Sequence, residues 1–183
     1  MLLHDMKTIF ALATLVITAT VLYADDSHPF QASLTPDIAI YPKTAEIHGL
    51  SLSIWGENPQ QGVALGIVNG STGDSAGFSW GLFNYSETYT GVSWAWVNVN
   101  KTSFHGWQFG WVSVAQEEFV GFQSSLIVNY AKKATGLQLG LVSYAENLHG
   151  VQIGLANIAI NNGWFDEFPD KLAKGFPIVN WSF

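Results

Sequence analysis

Three histidines recur at one place in a repeating pattern, and histidine is the commonest metal ligand in proteins. His48, His105 and His149 each directly precede a glycine that begins a repeat. If the repeats stack as parallel rungs about 4.7–4.9 Å apart, His105 and His149 are separated by about 14 Å. One metal ion cannot bridge that distance, because its ligands lie about 2 Å from it. We therefore interpret these histidines as solvated turn residues and predict no metal and no cofactor.

Acidic side chains are the second candidates, because two carboxylates facing a cleft catalyse glycoside hydrolysis. Glu117 and Glu118 are neighbours, so in a strand they point to opposite sides, and Glu146 stands apart from them. The glycine-containing segment 62–66 lacks the Gly-Lys-Ser/Thr end of a phosphate-binding loop. The sequence therefore predicts no catalytic residue and a protein that is not an enzyme.

A cluster of aromatic residues is the third candidate, because exposed rings in a row can stack on sugars or other flat ligands. Large residues that alternate with small ones normally mark the buried side of a strand. We therefore expect the cluster to be core or lipid-facing, with ligand stacking as the alternative. Its members are Trp80, Trp94, Trp96, Trp107, Phe109 and Trp111.

All these residues belong to an internal repeat of about 15 residues, in which each copy begins with a glycine. Apolar residues then alternate with small or polar ones, and this period of two predicts β-strands. An earlier copy begins at Gly49. The seven strong copies begin at Gly62, Gly77, Gly91, Gly106, Gly121, Gly136 and Gly150.

An asparagine or serine recurs near the end of each strand segment. Such side chains hydrogen-bond their own backbone and start turns. If the copies stack in parallel, the amides could instead form a ladder in which each satisfies the next. Both interpretations remain open for Asn69, Asn84, Asn98 and Asn157.

Two all-β architectures can accommodate the repeat. Equal copies favour a solenoid of stacked parallel rungs, in which we expect the large residues Val63, Leu65 and Ile67 to point inward. The alternative is an eight-stranded meander barrel, made of the seven strong copies and a closing strand at 175–183. A barrel in a membrane would turn its Trp and Leu residues to the lipid.

The N-terminus has the pattern of a secretory signal peptide, predicted to span residues 1–24. Lys7 supplies the positive flank, residues 9–23 form a short apolar run, and Ala24 precedes an abrupt change to acidic residues. The domain organisation that follows is a cap or lead-in at 25–48, a β-repeat domain at 49–160, and a loop with a closing strand at 161–183.

Composition excludes several classes of protein. Hydrophobic residues make up 48% of the 183 residues and charged residues 11%, which is the opposite of a disordered chain. The net charge is −7 and every basic residue is a lysine, so no basic surface is available to bind nucleic acid. With no cysteine, an exported domain must be held by burial and hydrogen bonds alone.

The segment GLQLGLVSYAENLHGVQIGLANIAINNG, residues 136–163, resembles a family of bacterial exported surface-repeat proteins whose unit has the same Gly-apolar-Gln-apolar-Gly pattern. The ending FPIVNWSF is similar to their terminal segment, and the resemblance covers roughly residues 49–183. It implies export and architecture rather than activity. Copies 77–113 depart from it, since Trp and Phe replace aliphatic residues, so we expect any local specialisation there.

Three functions are compatible with these features. The first is a non-enzymatic exported protein of the bacterial cell envelope or surface, acting as a structural or binding scaffold. The second is an integral outer-membrane barrel, which could form a small pore. The third is a glycan-binding module that uses the Trp cluster.

Overall fold

The computed structural model describes residues 27–183, and the predicted signal peptide 1–24 lies outside the described residues. The described chain forms one seven-stranded sheet. Its strands are β1 (Ser27–Thr35), β2 (Ile38–Ala39), β3 (Glu46–Asn58), β4 (Gln60–Trp80), β5 (Phe83–Trp94), β6 (Val97–Ala159) and β7 (Gly175–Ser182).

The sheet is wound into a β-solenoid in which each coil stacks in parallel on the one before. β3, β4, β5 and β6 pair in parallel, with the repeat glycines in register, as in Gly49 with Gly62 and Gly91 with Gly106. The 63-residue strand β6 continues without a break through several coils. The predicted solenoid is confirmed, and the meander barrel is wrong because its consecutive strands would be antiparallel.

The repeat glycines lie where neighbouring coils approach most closely. At Gly121 the backbone has a φ of 129°, which L side chains rarely adopt. A Cβ added there would lie 2.1 Å from the carbonyl oxygen of Gly106, the equivalent glycine of the preceding coil. The same contact recurs from coil to coil, so each of these coils requires a glycine at this position.

The orientation predicted for the large apolar residues is wrong. Val63 and Ile67 point outward and are exposed, Leu65 is half-buried, and the inward positions beside them are Ala64 and Asn69. A coil of about 15 residues encloses a thin cross-section, and two opposed layers of large side chains do not fit in it. Small residues and planar groups that stack along the axis fill it instead.

Planar side chains form continuous ladders inside the solenoid. Gln123 Nε2 donates to Gln108 Oε1 at 3.0 Å, Gln138 Nε2 to Gln123 Oε1 at 2.7 Å, and Gln152 Nε2 to Gln138 Oε1 at 2.8 Å. All four amides are buried. The three bonds satisfy the amides along the ladder, except for Gln152 Oε1 at its end, and so remove most of the cost of burying these polar groups.

The buried asparagines also bond across coils. Asn69 Nδ2 donates to Asn84 Oδ1 at 2.9 Å and to the carbonyl oxygen of Trp80 at 2.8 Å. The equivalent Asn98 donates to the carbonyl oxygen of Phe109, and Asn157 donates to that of Phe176 in the closing strand. Asn69 and Asn84 form the one step of the predicted amide ladder, while Asn157 also donates to the Gly154 carbonyl oxygen three residues earlier at 3.0 Å, so each interpretation describes part of this set.

Both ends of the stack carry additional structure. β1 forms a further coil that lacks the repeat glycine: Phe30 pairs with Leu50 and Gln31 with Ser51, so Pro29 stands at the glycine position. The two-residue strand β2 folds back antiparallel on β1. At the other end, β7 lies antiparallel to the last coil, with Gly150 opposite Ser182. These antiparallel additions cover the edges that open ends would expose.

Replacing a repeat glycine should destabilise the solenoid severely. We expect Gly121→Ala to lower the free energy of unfolding by more than about 3 kcal/mol, because the new Cβ collides with the Gly106 carbonyl. Gly73→Ala is the matched control, since Gly73 also has a positive φ but open space around it, and should cost about 1–2 kcal/mol. Guanidinium unfolding followed by Trp fluorescence measures both. An equal loss of unfolding free energy in the two variants would contradict the close contact between Gly121 and Gly106.

Tyr89 begins an internal aromatic ladder with Phe104 and Phe119, whose ring centroids are 5.7 and 5.9 Å apart. The buried Tyr89 hydroxyl has no hydrogen-bond partner within residues 27–183. Tyr89→Phe should therefore leave stability at neutral pH unchanged or raise it by about 1 kcal/mol.

Burial also holds the pKa of the Tyr89 phenol above its usual value. The folded state therefore resists ionisation, and the wild type should lose stability as pH rises above about 10, where the unfolded phenol ionises. Urea unfolding curves measured below and above that pH give the fall in unfolding free energy, and this fall should be smaller for Tyr89→Phe than for the wild type. Parallel losses in both proteins would contradict this account of Tyr89.

Candidate functional site

One side of the solenoid is an apolar surface made of three parallel rows of outward side chains. The rows occupy the first, third and fifth positions after each coil glycine, and we call this surface the apolar face. Ser124 is the single polar residue in the three rows. The first row is Leu50, Val63, Phe78, Val92, Trp107, Phe122, Leu137 and Val151. The third-position row is Leu52, Leu65, Trp80, Trp94, Phe109, Ser124, Leu139 and Ile153. The fifth-position row is Ile54, Ile67, Leu82, Trp96, Trp111, Leu126, Leu141 and Leu155.

The predicted aromatic cluster forms the central part of the apolar face. The expectation that it is core is wrong, because its five tryptophans expose between 42% and 54% of their surface and Phe109 exposes 37%. The physical reason is the narrow interior, which the small and amide side chains already fill. The cluster is therefore presented to whatever contacts this side of the solenoid.

The aromatic rings of neighbouring coils stack on each other along the solenoid axis. Trp96 and Trp111 have ring centroids 5.1 Å apart and planes within 7°, and Trp107 stacks on Phe122 at 5.8 Å. Each of these rings covers the face of its neighbour. Ring edges, rather than ring faces, therefore point outward from this part of the surface.

A groove runs along the apolar face between the third-position and fifth-position rows. Its floor consists of the small inward residues at the fourth position, such as Gly110 and Gly140. One stretch of it has a volume of about 430 Å³ and opens where Ser124 replaces a large side chain between Phe109 and Leu139. Nearly all of its lining is carbon, so a polar ligand would find few hydrogen-bond partners there.

At one edge of the apolar face, tyrosines lie three or four residues after the fifth-position row, beyond the exposed residues Phe83 and Ile127. Tyr85 Oη donates to Glu57 Oε2 at 2.6 Å and accepts from Trp55 Nε1 at 3.2 Å. Burial, together with the hydrogen bond to Glu57, raises the pKa of Tyr85 to about 12. Tyr130 and Tyr144 stack on each other at 5.2 Å further along the same edge. The tyrosines therefore give this edge both apolar ring surface and polar hydroxyl groups.

The histidines lie along the opposite edge, where His105 and His149 are exposed and His48 is half-buried. Among residues 27–183, no three His, Asp or Glu side chains are placed to hold a metal ion together. The His48 ring instead lies 3.3 Å from Glu46, measured between Nε2 and Oε2. These histidines therefore form a polar border to the apolar face.

The acidic candidates lie on the polar side of the solenoid. Glu117 Oε2 accepts from Lys132 Nζ at 2.8 Å, one coil further along, and this contact raises the pKa of the exposed Lys132. Glu118 is exposed on the same turn. These groups face solvent, and no cleft surrounds them.

One serine matches a catalytic sequence pattern that proves to be part of the repeat. Residues 77–81 read Gly-Phe-Ser-Trp-Gly, the pattern of a nucleophile elbow. In the structure Ser79 is an inward residue of a coil and is 2% exposed, and its hydroxyl has no hydrogen-bond partner among residues 27–183. It therefore cannot meet a substrate.

Sequence reasoning missed the side on which the functional surface lies, and it also missed the first coil. A signal for the surface was available in the columns of identical polar residues. The second position after the glycine is Gln in four consecutive coils, namely at Gln108, Gln123, Gln138 and Gln152. Such a column is typical of amides that stack inside a solenoid, and it places the large residues outside.

No family model matches the sequence, and searches of curated proteins and of solved structures found no similar protein. The resemblance to exported surface-repeat proteins therefore stays a prediction from the repeat motif. In the described part of the chain, no helix has the length and the apolar composition needed to cross a bilayer.

The exposure of the aromatic residues predicts unusual fluorescence for a folded protein. Seven of the eight tryptophans are exposed. Acrylamide should therefore quench the emission of the folded chain almost as strongly as that of the chain unfolded in guanidinium. Quenching that is weak in the folded chain and becomes strong only on unfolding would mean that the aromatic cluster is buried.

Proposed function

We propose that this chain is a non-enzymatic, exported protein of the bacterial cell envelope that acts as a binding scaffold, with the apolar face as its binding surface. The size of the exposed face carries the proposal. The six aromatic side chains of the cluster are 37–54% exposed. Because a full aromatic side chain has an area of about 150–250 Å², together they expose roughly 400–700 Å² of apolar surface. The largest apolar patch on an ordinary monomer is about 300–600 Å².

The rest of the face enlarges this surface beyond what a free monomer normally leaves in water. Aliphatic residues such as Ile67, Leu126 and Leu155 are exposed on either side of the aromatic cluster. Because the coils are hydrogen-bonded to each other throughout, the rows form a rigid platform rather than a mobile loop. A rigid apolar platform supports a role in binding more readily than a role in catalysis.

Export is supported by the N-terminal pattern of residues 1–24 and by the resemblance of residues 136–163 to exported repeat proteins. The glycan-binding alternative receives less support from the geometry. Sugar rings stack on the faces of aromatic side chains, whereas Trp96 and Trp111 cover each other's faces. The face also offers sugar hydroxyls few acceptors, since Ser124 is the single residue in its rows whose side chain accepts a hydrogen bond and the indole N–H groups only donate.

Fractionation of a bacterial host that expresses the full chain tests this proposal. We expect a processed chain that begins at Asp25, identified by mass spectrometry, in the envelope fraction. Leu15→Asp places a charge in the apolar run and serves as the control, because it should leave an unprocessed chain in the cytoplasm. A wild-type chain that is unprocessed and cytoplasmic, like the control, would contradict export.

A further inference from the structure

We propose that the apolar face docks on a zwitterionic phospholipid surface, with the solenoid axis parallel to the membrane plane and the three rows inserted among the headgroups. This inference rests on the proposed function and names the partner of the same surface. The solenoid is amphipathic across its axis in the way an interfacial helix is. Its three rows contain no charged residue, and every charged side chain of residues 27–183 lies outside them.

The paired backbone of the apolar face can enter an apolar medium without leaving hydrogen-bonding groups unpaired. From Gly49 to Phe109 the backbone of the face lies in the parallel pairing of β3, β4, β5 and β6, and the remaining coils continue in the same strand β6. An unpaired backbone group in lipid costs several kcal/mol, which is why few β-structures tolerate contact with hydrocarbon. Only side chains would contact the lipid here.

The indole N–H groups favour lipid over a second copy of the chain as the occupant. Within residues 27–183, the tryptophans that donate an internal hydrogen bond are Trp55, to Tyr85 Oη, and Trp181, to the carbonyl oxygen of Pro169. The five tryptophans of the face make no such bond, and the stacking of Trp96 on Trp111 and of Trp107 on Phe122 leaves the edges of these indoles outward. Against a second apolar face, these donors would meet one acceptor side chain in the rows, Ser124. Headgroup esters and phosphates provide acceptors for all of them.

The borders of the face fit the same interpretation. Tyr85, Tyr130 and Tyr144 follow one edge and His105 and His149 the other, so polar groups flank the apolar rows on both sides. Tyrosine and tryptophan are enriched where a protein passes from hydrocarbon to headgroup. Side chains of the rows would reach the boundary between headgroups and acyl chains, while the borders remain among the outer headgroups.

The charge of the described chain selects the type of lipid. Residues 27–183 contain six lysines and eleven acidic residues, a formal charge of −5. A lipid surface with net negative charge would repel it, whereas a zwitterionic surface would not. Binding through apolar burial also predicts that added salt does not release the protein, in contrast to binding through charge.

Flotation of the full chain with phosphatidylcholine vesicles tests the inference. The double variant Trp96→Gln/Trp111→Gln removes the stacked pair at the centre of the face, and Trp164→Gln removes an equally exposed tryptophan in the loop before β7. All three proteins keep the same N-terminal segment, so differences between them report on the face alone. Circular dichroism establishes that the variants are folded, which is expected because the replaced side chains point outward.

We expect the wild type to float with the vesicles at low and high salt, and brominated phosphatidylcholine to quench its Trp emission. The double variant should partition at least about tenfold more weakly, since it loses the burial of two large rings. Trp164→Gln should bind like the wild type. This pattern, with a monomer in the absence of lipid, supports docking through the apolar face.

Three results would overturn the inference. Equal flotation of wild type and double variant would assign binding to another segment. Binding to anionic vesicles alone, lost in salt, would assign it to charge. A dimer in analytical ultracentrifugation that ignores vesicles would make a second copy the occupant. If the chain is exported and processed, any of these three results would contradict lipid docking but not the proposed function. If the chain is unprocessed and cytoplasmic, the proposed function is contradicted, whatever the affinity of the chain for vesicles.

Discussion

The close approach of successive coils at the repeat glycines is the constraint on which the rest of the structure depends. At Gly121 the carbonyl oxygen of Gly106 occupies the place that a Cβ would take. Parallel backbone bonding then continues through the whole stack, and β6 runs for 63 residues without a break. A chain without cysteine obtains its rigidity from this bonding. Each short coil encloses a thin interior, which is filled mainly by small side chains, amides and stacked rings.

The thin interior determines the character of the outer surface. Amide and aromatic ladders such as Gln108–Gln123 and Phe104–Phe119 occupy the inside. The large apolar residues of the alternating pattern have no place there, and they lie outside in three rows on one side. The solenoid thus becomes a rigid rod with an apolar face and a polar side that carries ion pairs such as Glu117–Lys132. The proposed function and the proposed lipid partner both follow from this division.

The sequence predicted the repeat and the solenoid because equal glycine spacing is a direct consequence of equal coils. It could not predict which residues of each coil face inward. A period of two identifies the residues that share a side of the strand, but not which side is buried. The usual rule that large residues lie inside failed at Val63 and at Trp96 because buried amides satisfy each other. The first coil was missed because Pro29 replaces its glycine. The apolar face therefore emerged only from the structure.

Thiol reactivity at two adjacent positions tests the inside-out arrangement most directly. The chain has no cysteine, so single cysteines can be introduced without background. Ser125 is 3% exposed and points inward, whereas Leu126 is 61% exposed and belongs to the apolar face. In the folded protein, Leu126→Cys should react with a maleimide as fast as a free thiol, and Ser125→Cys should react only after unfolding. A protected Leu126→Cys beside a reactive Ser125→Cys would show that the large residues are inside, and would contradict this account.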